Sequence, residues 1–139
     1  MFLKALAIKL RCYLKENRKE LDLHRVRLFP RGSCETTSLL LGKIIQDEYS
    51  NEEIYFIEGT NSSKYEQHFW IEVGDLTFDL TADQFDEVDV PSYGNAINEI
   101  RTRFDKVEKQ TISDALKSND YATGKVEEFA RISKVIRET

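Results

Sequence analysis

Cysteine, histidine and aspartate occur in this chain in an order and a setting that suit nucleophilic catalysis. Cys34 follows the Gly-Ser pair of "RGSCETTSLLLGKII", a stretch that predicts a turn and then a helix. His68 and Asp79 lie downstream in "QHFWIEVGDLTFDLTADQF". A thiol at the N-terminus of a helix feels the positive end of the helix dipole, which favours the reactive thiolate. A nearby histidine can move the thiol proton, and an aspartate can hold the imidazole in one orientation.

The stretch that contains His68 and Asp79 predicts a hairpin with both residues on one face. Gly74-Asp75 separates two strands, so a tight turn sets the register. In that register the apolar residues pair on the other face, namely Val73 with Leu76, Ile71 with Phe78, and Phe69 with Leu80. A slip of one residue would scatter them. His68 and Asp79 then form a diagonal pair with backbones roughly 7–8 Å apart, which side chains can bridge.

The segment around Cys34 reads as an amphipathic helix that starts at the cysteine. Ser33 is predicted as the N-cap, Cys34 as the first helical residue, and the helix runs to about Tyr49. Its predicted buried stripe is Leu40, Leu41, Ile44 and Ile45. A second helix is expected over 2–20, with Cys12 in its core face. The remaining expectations are a strand over 53–59 that Gly59 ends, a loop over 60–66, a solvated loop over 83–91, and helices over 96–109, 112–118 and 124–138.

The composition is that of one globular domain. The chain has 139 residues, of which 40% are hydrophobic and 32% charged. The N-terminal stretch is interrupted by Lys4, Lys9 and Arg11, so neither a signal peptide nor a membrane span is predicted. Two cysteines do not make a disulfide framework, and a cytoplasmic location is expected, with export by a route without a cleaved signal left open. Oligomeric state is not readable from these features.

Charge is distributed unevenly along the chain. The net charge is −5, with eight Lys/Arg against three acids from Lys9 to Arg31, and thirteen acids against one lysine from Asp47 to Asp89. An acidic chain argues against nucleic acid as the partner. If the acids flank the site, they favour a cationic peptide or protein substrate. The acidic stretch 83–89 lacks the glycine and ligand spacing of a calcium loop, so no metal and no cofactor is predicted.

Residues 32–81 resemble the transglutaminase-like superfamily, a branch of the papain-like cysteine enzymes. The resemblance is carried by "GSC" at a helix start, by "HFWIEV", which is similar to a His-x-Trp-x-Glu-Val strand, and by "FDLT", which is similar to an Asp-Pro-Thr segment. The intervals of 34 and 11 residues also fit. The resemblance implies that Cys34 is the nucleophile, His68 the general base and acid, and Asp79 the orienting group. It implies an α+β fold for a single transglutaminase-like domain, 1–139, in which the catalytic helix packs on a small antiparallel sheet, with additional N- and C-terminal helices.

The implied chemistry is acyl transfer on amide bonds through a thioester. Peptidase or amidase activity, glutamine deamidation and transglutaminase activity all use it, and the sequence does not choose among them. A non-catalytic adaptor on the same scaffold is the alternative from a different class. The chain departs from the family where Leu80 replaces a proline, and where Leu28 and its neighbours supply no tryptophan or glutamine as second oxyanion donor. Gln67 and Gln84 are candidate substitutes, and Trp70 is a candidate wall of the substrate cleft.

Overall fold

The computed structural model of the protein describes residues 3–50, 53–96 and 98–139, with the backbone alone at position 24. Its helices are α1 (Leu3–Asn17), α2 (Cys34–Glu48), α3 (Ile112–Ser118), α4 (Asp120–Thr123) and α5 (Val126–Glu138). Its strands are β1 (Ile54–Asn61), β2 (Glu66–Val73), β3 (Leu76–Asp79), β4 (Ser92–Asn95) and β5 (Lys106–Thr111). The chain is therefore an α+β protein, as predicted.

The five strands form one antiparallel sheet in the order β4-β3-β2-β1-β5. The predicted hairpin is confirmed, because Val73 pairs with Leu76 and Ile71 with Phe78. Gly74 supplies the positive φ of +58° that the turn requires. The third predicted pair lies outside the ladder, since β3 ends at Asp79 and Leu80 follows it. The side chains of that pair, Phe69 and Leu80, are still buried in the main core. The other apolar residues of that face also lie in this core or pack against it.

The main core lies between α2 and one face of the sheet. The predicted stripe of α2 is confirmed, because Leu40, Leu41, Ile44 and Ile45 are all buried. The helix α1 packs beside α2 through Leu3, Leu6, Ala7, Leu10 and Leu14. The assignment of Cys12 to this core was wrong: Cys12 is exposed. It lies two residues from both Leu10 and Leu14, a spacing that places a side chain on the opposite side of a helix.

A second, smaller core covers the other face of the sheet. It consists of Ile57, Trp70, Ala82, Val88, Ile100 and Phe104. The helix expected over 96–109 is wrong, because this segment instead supplies a short 3-10 turn at Arg101–Arg103 and the start of β5. Two tertiary contacts outweigh its helical spacing: Phe104 packs against Trp70, and β5 pairs with the free edge of β1. The loop expected over 83–91 is likewise partly packed, since Val88 is buried.

Gly59 lies inside β1 rather than at its end. A Cβ at this position would come within 2.8 Å of the Phe104 ring and 2.9 Å of the Trp70 ring. The glycine therefore permits two aromatic side chains to approach the strand closely. The predicted break at Gly59 is corrected accordingly, and β1 continues to Asn61.

None of the helices in the described part of the chain is both long enough and apolar enough to span a membrane.

Candidate active site

The start of α2 places Cys34 at the first helical position, as predicted. Gly32 has a φ of +68°, and this turn brings Ser33 to the N-cap position. The hydroxyl of Ser33 does not cap the helix as expected; it donates to the carbonyl oxygen of Pro30 at 3.1 Å. Ser33 thus fixes the loop before the helix, and Cys34 is left partly exposed at the helix end.

Glu35 holds the first turn of α2 in place. One of its carboxylate oxygens accepts a hydrogen bond from the side-chain amide of Asn119 at 3.2 Å, and the other lies 3.6 Å from the guanidinium of Arg25. A carboxylate in the first turn also interacts favourably with the helix dipole. These contacts tie the N-terminus of the cysteine-bearing helix to the start of α4 and to the segment before α2.

His68 and Asp79 form a buried pair at the polar face of the hairpin. The Nε2 atom of His68 lies 2.7 Å from Oδ2 of Asp79, and each side chain is 1% exposed. The other carboxylate oxygen of Asp79 accepts from the backbone N–H of Thr81 at 3.2 Å and lies 3.4 Å from its hydroxyl. Both oxygens of Asp79 are therefore engaged, which fixes the carboxylate and, through it, the imidazole. The diagonal His–Asp contact predicted from the sequence is confirmed.

The surroundings of His68 favour its protonated form. Burial lowers the pKa, but the charge and hydrogen bond of Asp79 and a hydrogen bond with Cys34 outweigh burial and raise the pKa from 6.5 to about 9. Since Asp79 occupies Nε2, the nitrogen left for the thiol is Nδ1. At neutral pH a protonated imidazole thus faces Cys34, and a cation beside a thiol favours the thiolate.

Three aromatic rings surround the imidazole. Phe85 meets it edge-on at 4.8 Å between centroids, Phe104 stacks on it at 6.1 Å, and Trp70 lies at 6.1 Å. Trp70 is fully buried, and its indole N–H donates to Glu72 at 2.9 Å. Trp70 therefore packs against the site, and its N–H is not aimed at a substrate. The rings keep water away from the His–Asp pair, which strengthens its electrostatic interaction.

Sequence reasoning missed Phe85 and Phe104. The first lies in an acidic stretch that reads as a solvated loop, and the second lies in a segment with helical spacing. A single aromatic residue among acids is a weak sign of a buried anchor, and nothing local shows that it meets His68.

Arg103 holds the aromatic side chains around His68 against the sheet. Its guanidinium pairs with Glu66 of β2, with 2.9 Å between Nη2 and Oε2, and with Glu87. It also lies over the ring of Phe85 at 4.5 Å. The segment after β3 and the segment before β5 are thus held together at the end of β2 where His68 lies.

The two candidate glutamines occupy different positions. Nε2 of Gln84 lies 3.4 Å from Nδ1 of His68, so this amide is next to the nitrogen that faces the thiol. Gln67 is exposed, and its amide donates to Glu58 at 2.8 Å. Because neighbouring residues of a strand point to opposite faces, Gln67 and His68 diverge. Gln84 is the glutamine that the structure brings to the imidazole.

Acidic side chains lie near the start of α2. Glu58 of β1 pairs directly across the ladder with Glu108 of β5. Partial burial raises the pKa of Glu58, and the negative charges of Glu108 and Glu35 raise it further, while Lys106 opposes them. Glu35 pairs with Arg25 at 3.6 Å and Glu108 with Lys106 at 2.9 Å, so this group of three carboxylates keeps one net negative charge.

Comparison with protein-family models, with curated proteins and with solved structures found no match to this chain. The local geometry is consequently the basis for any functional proposal. Within residues 3–50, 53–96 and 98–139, no three His, Cys, Asp or Glu side chains are grouped in a way that could hold a metal ion.

Proposed function

We propose that this protein is a cysteine-dependent acyl-transfer enzyme that acts on amide bonds, of the peptidase or amidase type, and that its core is papain-like. The observation that carries the proposal is the buried His68–Asp79 pair beside a cysteine at a helix N-terminus. Each partner alone has an ordinary structural explanation. Together they would supply a nucleophile, a proton carrier and an orienting carboxylate, with the imidazole bonded to the carboxylate and affected by the thiol.

The first half of the reaction forms a thioester. At neutral pH the thiol proton already resides on His68, whose pKa is raised to about 9, and the Cys34 thiolate attacks the carbonyl carbon of the amide. The electron pair of the carbonyl moves to oxygen and returns as the C–N bond breaks, while His68 delivers its proton to the leaving nitrogen. Asp79 stabilises the imidazolium throughout, since its carboxylate lies 2.7 Å from Nε2.

The second half resolves the thioester. Water gives up a proton to His68 and attacks the acyl carbon, and the Cys34 sulfur leaves and regains the proton. With water as acceptor the enzyme is a peptidase, or a deamidase if the amide belongs to glutamine. With a primary amine as acceptor the same steps give transglutaminase activity.

Two groups are suited to stabilise the negative oxygen of the tetrahedral intermediate. The backbone N–H of Cys34 is in the first turn of α2, where helix N–H groups lack partners within the helix. The amide of Gln84, 3.4 Å from Nδ1 of His68, is the second donor that we assign. This pair would replace the upstream tryptophan or glutamine that the sequence lacks.

Mass spectrometry of a cell extract treated with the protein tests the proposal. Wild type and Cys34→Ala are compared, and new peptide termini, deamidated glutamines or amine cross-links that require Cys34 identify the reaction. Cys34→Ala removes only the sulfur from a partly exposed position, so the fold should persist. Identical extracts for the two proteins, together with stable binding of an extract protein to both, would instead support an adaptor.

A second test concerns the thiols and does not need a substrate. In brief iodoacetamide treatment followed by peptide mapping, Cys34 should react preferentially at mildly acidic pH, because the thiolate is stabilised by the imidazolium. The exposed Cys12 should react more slowly than Cys34 under these conditions, because it lies on the outer side of α1 and away from His68. The same pH dependence for both cysteines would contradict the proposed ion pair.

A further inference from the structure

Arg11 of α1 lies where separate parts of the candidate site meet. Its guanidinium donates two hydrogen bonds to the carboxylate of Asp83, at 3.0 and 2.8 Å, and another to the backbone carbonyl of Leu80. Its plane also packs near the ring of Phe29, with 5.3 Å between Cζ and the centroid. The side chain is 14% exposed, so most of the guanidinium is enclosed by these partners.

Each partner of Arg11 adjoins a residue of the site. Leu80 follows Asp79, and Asp83 precedes Gln84. Phe29 begins the loop that leads into Cys34, a loop that the Ser33 hydroxyl already braces. Arg11 therefore connects the strand-derived half of the site to the approach to α2, although it is 69 and 72 residues from its two hydrogen-bond partners in the chain.

The chemistry of these contacts requires arginine. A guanidinium can bind a carboxylate with two parallel N–H groups and still stack its flat face on an aromatic ring. Lysine offers a single ammonium point charge and no flat face. Because Arg11 and Asp83 are only 14% and 18% exposed, removal of one partner leaves the other charge largely buried without its counterpart. The paired hydrogen bonds also fix the relative placement of α1 and the segment after β3.

We propose that Arg11 is a positioning residue of the active site: it holds the segment 80–84 against the loop before α2 and so sets the distance between the Cys34 sulfur and His68. The inference rests on the proposed function, since both concern the same thiol–imidazole contact. Arg11 does not touch the reacting atoms; it acts through its partners on the segment 79–84 and on the loop before Cys34. The helix α1 thereby contributes to the site and does not merely cover the core.

The experiment measures the alkylation rate of Cys34 against pH in a Cys12→Ser background, where Cys34 is the one remaining thiol. Arg11→Gln should lower the rate at mildly acidic pH by roughly ten- to a hundredfold, because a displacement of about 1 Å has effects of that size. Arg11→Lys should recover only part of the rate, since charge alone does not restore the paired hydrogen bonds. Lys9→Gln removes a positive charge from an exposed position of the same helix and should leave the rate unchanged.

Asp83→Asn removes the negative charge of the carboxylate that Arg11 binds. It should lower the rate in the same direction, and Arg11→Gln combined with Asp83→Asn should be no worse than Arg11→Gln alone, because both changes remove one contact. The ring ¹⁵N shifts of His68 should move in each variant, as expected if the imidazole changes its partners. If Arg11→Gln does not fold, Arg11→Lys and Asp83→Asn carry the test at a temperature where urea unfolding shows both to be native.

The outcomes separate the inference from the function on which it rests. A wild-type rate profile like that of an ordinary thiol would overturn the proposed function. A wild-type profile that depends on His68, shown by its loss in His68→Gln, combined with unchanged profiles in folded Arg11 and Asp83 variants, would overturn the positioning role alone. Loss of stability in those variants without any change of profile would assign Arg11 a purely structural role.

Discussion

The proposed chemistry depends on the protonation of one buried side chain, His68. His68 is fully enclosed, which disfavours a charge, yet Asp79 at 2.7 Å and Cys34 together raise its pKa to about 9. An isolated buried histidine would be neutral at pH 7 and would have no charge with which to stabilise a thiolate. The carboxylate is thus a main cause of the raised pKa of this core histidine.

Replacing Asp79 by asparagine should reverse this balance. The isosteric amide keeps a hydrogen-bonding group beside Nε2 but removes the negative charge, so burial then dominates. The titration midpoint of His68, followed by NMR of the imidazole, should fall from about 9 to below its ordinary 6.5. The chain has two histidines, so the same titration in His24→Gln assigns the His68 signals. A midpoint that stays near 9 in Asp79→Asn would mean that the carboxylate does not control the imidazole.

The raised pKa of His68 also predicts how stability depends on pH. Because the folded-state pKa exceeds the unfolded value, the stabilisation is complete below pH 6.5 and is lost as the pH rises through about 9. This rise in the pKa sets an upper limit of about 3 kcal/mol on the corresponding change in the free energy of unfolding. Urea denaturation between about pH 6 and pH 10 should show this decrease in wild type and a much flatter dependence in Asp79→Asn. Parallel curves for the two proteins would argue against the linkage.

At the level of elements, the sequence was informative wherever local rules determine the structure. The glycine turn and the alternating apolar residues specify the register of the β2–β3 hairpin, and the register alone places His68 near Asp79. The Gly-Ser turn and the apolar stripe specify where α2 begins. These features depend on neighbours in sequence, so periodicity reveals them.

The aromatic side chains that pack around His68 could not be predicted in the same way. Phe85 and Phe104 reach His68 from segments whose local patterns indicate a solvated loop and a helix. Their conformations are determined by contacts with Trp70 and Arg103 and by the free edge of β1, all outside the local pattern. The contacts of Arg11 with Leu80 and Asp83 could not be predicted either, because nothing in the sequence around position 11 indicates a partner near position 80.

A substitution at Gly59 tests how closely the Phe104 ring packs on strand β1. In an open strand, Gly→Ala should stabilise slightly, because alanine restricts the unfolded chain. Here the new Cβ would lie 2.8 Å from the Phe104 ring, so Gly59→Ala should instead lower the free energy of unfolding by about 1–3 kcal/mol. Urea denaturation followed by the fluorescence of the single tryptophan, Trp70, measures the change.

A second substitution identifies the cause of that loss. Phe104→Leu removes the ring that Gly59→Ala would strike, so the double variant should be less destabilised than the sum of the two single variants. Simple additivity would show that the loss arises elsewhere in β1.

For the molecule as a whole, the site is assembled from parts spread over most of the chain. The proposed nucleophile, Cys34, comes from α2, and the His68–Asp79 pair comes from the central hairpin. Phe85 and Phe104 come from the segments that flank β4, and the proposed positioning residue, Arg11, comes from α1. The charge of these parts is also uneven, because basic residues concentrate between Lys9 and Arg31 and acids between Asp47 and Asp89. Arg11 of the basic stretch pairs with Asp83 of the acidic stretch, so the two stretches meet at the segment after β3.

The acidic side chains near the start of α2 predict a preference for cationic substrates. Glu108 and Glu35 lie close enough to Glu58 to raise its pKa beyond the effect of its partial burial. Glu58 pairs across the ladder with Glu108, and Glu35 follows Cys34 in the first turn of α2. Such charges accelerate the encounter with a positive peptide more than they strengthen its final binding. They also oppose a thiolate, so the helix N-terminus and the His68 imidazolium must outweigh them.

Salt provides the test, since a Debye length of about 8 Å at ~0.15 M already screens exposed charges. With a sequence cleaved or modified in the Cys34-dependent assay, turnover of a lysine-rich version should fall steeply from low to high ionic strength, whereas a neutral version should change little. Glu58→Gln should reduce the salt dependence for the lysine-rich peptide, and Glu138→Gln, at an exposed position at the end of α5, should not. Equal salt responses for the two peptides would remove the acidic side chains from substrate selection and leave the proposed chemistry of Cys34, His68 and Asp79 unaffected.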